Sequence, residues 1–212
     1  MMLSTFAKNT AIGFALPTIY DKFFDAYIKN KTLKQQLKLN LFSIQNSLFL
    51  GIMSMLYLQN KINQTQFYNA FGYSNGNIIL YFLTKLNKKE YDMIFHHIMM
   101  QTTIISTQLL GNNYIPKLDW LMARIYLCEF TSVFLYTYMT LYKINYKNKA
   151  MLSFLKYGIA TSYFFLRIYN FTFVQYYLYT HNIKSCFYLM LPFTGLNYLW
   201  FYKILKRSKR KS

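Results

Sequence analysis

Long stretches without a single Asp, Glu, Lys or Arg divide the chain, and its lysines gather between them. Four such stretches span residues 39–60, 62–84, 93–116 and 185–202. Two more apolar stretches, 120–142 and 151–180, carry only a few charges. Each approaches or exceeds the roughly 20 residues that a membrane-spanning helix needs. Helices of a soluble bundle would show a polar face recurring about every 3.6 residues, and these segments lack one. The expected fold is therefore all-α, an integral membrane helical bundle with six transmembrane helices.

The intervening charges predict its orientation. Lys22, Lys29, Lys31, Lys34 and Lys38 precede the first span, whereas only Lys61 follows it. Lys85, Lys88 and Lys89 come next, then Lys117 alone, then Lys143, Lys147 and Lys149, then Lys184 alone. The tail carries Lys203, Lys206, Arg207, Lys209, Arg210 and Lys211. Alternation of lysine-rich and lysine-poor loops is the positive-inside pattern, and it predicts a cytoplasmic C-terminus. Topology thus absorbs most of the formal charge of +18. Nucleic-acid binding would need a basic face and a reading element, and neither is present, so no nucleic-acid partner is expected. The basic tail can also touch anionic headgroups, an effect that salt weakens.

Three divisions follow. Residues 1–36 form an apolar segment and a basic cytoplasmic connector, 37–206 the transmembrane domain, and 207–212 a basic tail. Leu3 to Tyr20 contains Lys8, Asn9 and Pro17 and lacks both a basic n-region and a small-residue cleavage site. A removable signal is therefore not expected; the segment reads as a seventh helix or, preferably, an interfacial one. Many of the 22 tyrosines and 20 phenylalanines fall at span edges, as aromatic belts do. Cys128 and Cys186 both lie within spans and read as packing residues rather than a disulfide. The abundance of Lys, Asn, Ile and Tyr reads as a bias of base composition. Asn63-Gln64-Thr65 is a glycosylation sequon in a loop predicted to be lumenal.

The ionisable groups inside the spans are the candidates for chemistry, because burying them in a bilayer is costly. His96 and His97 stand in the third span, with Asp92 four residues before His96 on the same helical face. A carboxylate so placed can fix the imidazole tautomer and raise its basicity. His97 points about 100° away from His96, and Gln101 continues the face of His97. The alternative is structural: one histidine packs against a neighbour and the other caps a water pocket. At about 1.5 Å per residue the histidines lie roughly 8 Å inside the cytoplasmic boundary, and Asn197 about 12 Å inside. Glu129 and Arg167 fall at about 20 and 24 Å, deep enough that an ion pair between them is expected as a structural clamp. Arg124, nearer the lumenal edge, can snorkel.

Several of these residues stand in a familiar order. Asn40 and Ser43 resemble the polar start of the first helix of the TLC domain, the membrane fold shared by ceramide synthases, the translocating-chain-associating protein and several lipid-regulatory proteins. Asp92 with His96-His97 is similar to its His-His helix. Glu129-Phe130-Thr131-Ser132-Val133-Phe134-Leu135 resembles its Glu-x-Ser-Thr-Pro-Phe-Leu element, with Val133 in place of proline. Phe164-Phe165-Leu166-Arg167 and Leu196-Asn197-Tyr198-Leu199-Trp200-Phe201 are similar to its last two conserved helices. Two acidic features of the family are missing. Gly76-Asn77-Ile78-Ile79-Leu80-Tyr81 lacks the family's aspartate, and no aspartate pair follows the histidines, Asp119 being alone in a loop.

The resemblance implies an endoplasmic-reticulum protein of lipid metabolism or lipid homeostasis whose partners are membrane lipids. It implies acyl transfer from a fatty acyl-CoA co-substrate, with no resident cofactor and no metal. His96 would then be base or nucleophile, oriented by Asp92, with His97 beside it. Asn197, Gln101, Glu129 and Arg167 would hold the substrate. The missing aspartates favour the alternative, a non-catalytic lipid-binding or lipid-regulatory protein. A channel or transporter stands third, since no charge ring or broken-helix pair is present.

Overall fold

The computed structural model describes residues 28–70 and 117–209, with side chains to residue 206. Asp92, His96, His97, Gln101, the segment 1–27 and most of the second and third expected spans lie outside the described residues.

The described residues are helical throughout, with no strand among them. Helix α1 (Lys31–Leu58) begins at Asn30, whose side chain accepts a hydrogen bond from the Leu33 amide at 3.1 Å and caps the free end of the helix. Then come α2 (Leu118–Tyr126), α3 (Glu129–Lys143), α4 (Lys149–Ser162), α5 (Asn170–Thr180) and α6 (Lys184–Lys209). A short helix, 64–70, follows α1. Its first turn is held by a reciprocal pair: the Gln66 amide donates to Asn63 Oδ1 and the Asn63 amide to Gln66 Oε1, both at 2.9 Å. The exposed sequon residue Asn63 is therefore also a helix cap.

Two joints make longer rods. Leu127 and Cys128 keep right-handed helical torsions between α2 and α3. There the Leu127 amide is shared between carbonyls four and three residues back, and those of Cys128, Phe130 and Thr131 reach three residues back. The expected span 120–142 is thus a rod with one tightened turn. The span expected at 151–180 is one rod as well, but Tyr163–Tyr169 between α4 and α5 is wound wider, as a π-helix. Among the described residues, α1 is the one helix long and apolar enough, by length and composition, to cross a membrane as an unbroken element. The segments of the other rods are individually shorter, and α6 ends in a run of lysines.

Asparagine ends three of the helices. Asn60, Asn145 and Asn182 each sit at positive φ (56°, 54° and 56°), just past α1, α3 and α5. In each case the next amide reaches back five residues: Lys61 to Leu56, Tyr146 to Leu141, Ile183 to Leu178. These bonds satisfy the orphan carbonyls of a helix end, and asparagine tolerates the left-handed torsions better than other residues with a side chain beyond Cβ. Part of the asparagine excess is thus structural.

All the long rods run antiparallel to their neighbours. Asn40 of α1 meets Thr140 of α3, while Ser47 meets Glu129. Arg124 of α2 meets Asn170 of α5, and Arg167 meets Asn197 of α6. This pairing brings Lys34, Lys38, Lys143, Lys147, Lys149, Lys203 and Lys206 to one end and Lys61, Lys117 and Lys184 to the other. The main apolar core, with Leu50, Phe67, Ala123 and Val174 fully buried, lies in the lysine-poor half. Rods approach closely where a glycine admits a ring. A Cβ on Gly51 would meet the Phe130 ring at 2.9 Å, and one on Gly158 the Phe134 ring at 2.8 Å. Aromatic side chains such as Phe154, Tyr157, Phe165, Tyr176 and Tyr188 face outward, each more than half exposed. A large outward apolar surface marks contact with lipid or with another protein.

Candidate functional site

Both joints, the tight turn at 127–128 and the wide turn at 163–169, lie beside the two deepest charges. Departures from α-geometry inside helices concentrate at functional sites, because they aim side chains that a regular helix would aim elsewhere. Arg167, on the wide turn, is buried. Its Nη2 donates to Ser132 Oγ of α3 at 3.0 Å and its Nη1 to Asn197 Oδ1 of α6 at 3.3 Å. The Tyr163 and Trp200 rings flank the guanidinium at 5.2 and 5.9 Å. Asn197 is itself aimed by its own helix: its Nδ2 donates to the Phe193 carbonyl at 3.0 Å, which leaves Oδ1 for Arg167 and, at 3.4 Å, for the Tyr163 hydroxyl. Arg167 Nε has no hydrogen-bond partner among the described residues.

Glu129 opens α3 one turn before Ser132 and is buried as well. Its Oε2 accepts from Ser47 of α1 at 3.1 Å, and its Oε1 from the Cys128 thiol at 3.8 Å. The expected direct clamp is therefore not formed among the described contacts. Among the described contacts the carboxylate and the guanidinium have separate partners, and Ser132 on the face of Glu129 completes the approach. The opposite charges still act on one another without direct contact, as the burial of each requires. Chemically, the group is a neutral, hydrogen-bonded polar centre with one open N–H at Arg167.

The depths counted from sequence separated Asn197 from Arg167, yet the structure joins them. A depth of about 12 Å for Asn197 puts the helix end about eight residues on, near Leu205, whereas α6 continues to Lys209. A long arginine side chain covers the remainder. Sequence reading also missed Ser47, Ser132 and Tyr163 as partners. Serine inside an apolar run gives little signal, and a wide turn at 163–169 shifts which residues share a face.

Asp119 is not in a loop. It lies in the first turn of α2, 3 % exposed, and accepts hydrogen bonds from Gln64 Nε2 at 2.8 Å and from the Tyr68 hydroxyl. A carboxylate there suits the positive end of a helix. It ties the short helix 64–70 to α2. Arg124 does not snorkel freely either: Asn170 holds it, as described below. Cys128 and Cys186 are free thiols, and Cys128 is buried.

One comparison with known proteins bears on this arrangement. A family model described as the TLC domain matches residues 12–206. No curated protein and no solved structure matches the chain.

Proposed function

The chain belongs to the TLC-domain family of membrane proteins, and we propose that it acts on membrane lipids by moving an acyl group from a fatty acyl-CoA. In this reading six helices span the membrane of the endoplasmic reticulum, with the lysine-rich end and the C-terminus in the cytoplasm. The observation that carries it is the buried polar centre of Arg167, Asn197, Ser132 and Glu129 inside a bundle whose outer face is apolar and aromatic. A polar centre is expensive in such surroundings, and recognising the polar end of an amphiphile is a use that repays it. The gathering of basic side chains at one end supports the orientation.

His96 is the base or nucleophile, oriented by Asp92, with His97 and Gln101 on the adjoining face. Imidazole attack on the thioester carbonyl would release the CoA thiolate and leave an acyl-imidazolium; an amine or hydroxyl acceptor then takes the acyl group, its proton passing to the thiolate as the imidazole returns to its neutral form. Arg167 and Asn197 hold the carbonyl or headgroup, and Glu129 balances the charge. Purified protein supplied with labelled long-chain acyl-CoA and amine or lysolipid acceptors should form product, and His96→Ala should abolish it. Equal turnover by the variant would sink the catalytic reading.

The second reading is non-catalytic lipid binding, favoured by the missing aspartates at 76–81 and after the histidines. It expects no product with any acceptor, but lipid binding that Arg167→Leu removes. Orientation has its own check. A glycosylation site engineered between Lys85 and Lys89 should remain unmodified, and its modification would reverse the topology.

A further inference from the structure

We infer that Arg124 is the anchor of a second lipid site, one that binds the phosphate of an anionic phospholipid in the leaflet at the lysine-poor end. Arg124 lies six residues into α2 and Phe173 seven residues before the end of α5, so both sit about 10 Å from the helix ends. This depth is where headgroup gives way to hydrocarbon, a few ångströms inside the polar zone.

The side chain is fixed there. Its guanidinium carbon lies over the Trp120 ring at 4.9 Å and the Phe173 ring at 4.3 Å. Arg124 Nε donates to Asn170 Oδ1 at 3.2 Å, and Asn170 Nδ2 donates back to the Arg124 carbonyl. One asparagine thus clasps both ends of the residue. The rings pack against the guanidinium from adjoining sides, their centroids 6.1 Å apart, and Asn170 occupies Nε, so the edge formed by Nη1 and Nη2 is without a partner among the described residues. That edge carries the paired N–H groups that bind a phosphate in parallel.

The site is half-open and has no counter-ion among the described residues. Arg124, Trp120, Phe173 and Tyr177 are all partly exposed. Asp119, the nearest acid along α2, is committed to Tyr68 and Gln64. A cation held at the membrane boundary with no acid beside it attracts an anion, and the rings lower the entropy lost when the anion docks. The aromatic wall continues outward: Trp120 lies 5.6 Å from Tyr177, whose ring stacks on His181 at 3.8 Å. Such a wall lies on the headgroup side of a lipid whose phosphate reaches Arg124, where amphipathic aromatic side chains are at home.

The inference rests on the membrane-spanning reading, and one experiment separates the two. The full chain is extracted from bilayers of equal phosphatidylglycerol and phosphatidylcholine, and the co-purifying lipid is counted by native mass spectrometry. The background is Lys203→Gln/Lys206→Gln, which thins the basic end. Phosphatidylglycerol should be retained preferentially. Arg124→Gln should cut the enrichment roughly tenfold or more, the worth of a charge-assisted bidentate contact. Arg124→Lys, which keeps the charge and loses the fork, should fall between. Equal enrichment in Arg124→Gln and the parent would overturn this site alone. Failure of the parent to retain any lipid would overturn the membrane reading with it. Complete competition by millimolar inorganic phosphate would replace the lipid with a free anion and also refute the proposal.

Discussion

The two arginines of the bundle interior solve one physical problem in different ways. Arg167 sits at mid-bundle, closed in by Ser132, Asn197, Tyr163 and Trp200, with Glu129 near enough to balance its charge. Arg124 sits near one end, half-open, against two rings that meet at an angle, with an asparagine where Arg167 has acid in its neighbourhood. The difference follows depth. Where bulk solvent does not reach, a cation needs a buried anion and acceptors for most of its donors. Where headgroups reach, aromatic faces and one amide suffice to hold it, and the anion can be supplied from outside.

The largest effect should come from breaking the compensation at mid-bundle. Glu129→Leu leaves an arginine that cannot release its proton and has lost its counter-ion, so it should cost about 3–5 kcal/mol. Arg167→Leu should cost less, because an orphaned carboxylic acid can escape its charge by taking up a proton. The double variant should be milder than the sum of the two singles. Thermal unfolding in detergent over a double-mutant cycle measures all three, and strict additivity would mean that the two charges are not coupled. The equivalent cycle at Arg124 and Asn170 should show a smaller coupling, since no ion pair is broken.

Next in size is the approach of α1 that places Ser47 against Glu129. Gly51→Ala puts a methyl group 2.9 Å from the Phe130 ring, and overpacking of this kind should cost about 1–3 kcal/mol. A shift in melting temperature checks it. Gly158→Ala meets Phe134 instead and should cost a similar amount without reaching Glu129. A selective effect of Gly51→Ala on lipid turnover would tie α1 to the deep site.

How much of these sites was legible follows from what each residue type signals. Glu129, Arg167 and Asn197 stand out in apolar runs, because a charge or amide there needs a reason, and the structure gathers all three in one region. The opposite clustering of rich and poor lysine loops was also readable, since loop charge is local information. The Ser47 and Ser132 partners were not. Serine is common in such helices, and only the joints at 127–128 and 163–169 bring those hydroxyls to the charges. Asp119 misled for a related reason: a lone aspartate beside Pro116 and Lys117 resembles loop chemistry, but its partners Gln64 and Tyr68 come from more than 50 residues away. The asparagines after α1, α3 and α5 were dismissed as compositional because a left-handed torsion leaves no mark on the sequence. The histidine pair lies outside the described residues and keeps the role proposed from sequence.

Smaller effects distinguish the two amides. Asn197→Ala removes the acceptor of Arg167 Nη1 in a closed site, and leaving that donor buried should cost about 1–3 kcal/mol. Asn170→Ala opens toward a half-exposed edge that water or lipid can reach, so its cost should be nearer 1 kcal/mol. Chemical unfolding of the two variants side by side reads the difference, and an equal cost would mean that depth does not set the accommodation of the two cations.

The sharpest test converts one site into the other. Asn170→Asp keeps the shape of the side chain, gives Arg124 the acid it lacks, and deletes the amide that donates to the Arg124 carbonyl. At a half-open site the gained ion pair and the lost hydrogen bond should nearly cancel, leaving stability within about 1 kcal/mol of the parent. Lipid discrimination should not survive so well. A carboxylate clasped to Nε neutralises the guanidinium and repels a phosphate approaching Nη1 and Nη2, so retention of phosphatidylglycerol over phosphatidylcholine should fall toward unity. If Asn170→Asp instead retained the anionic lipid as the parent does, the open edge of Arg124 would not be what draws it, and the contrast between the two arginines would reduce to packing.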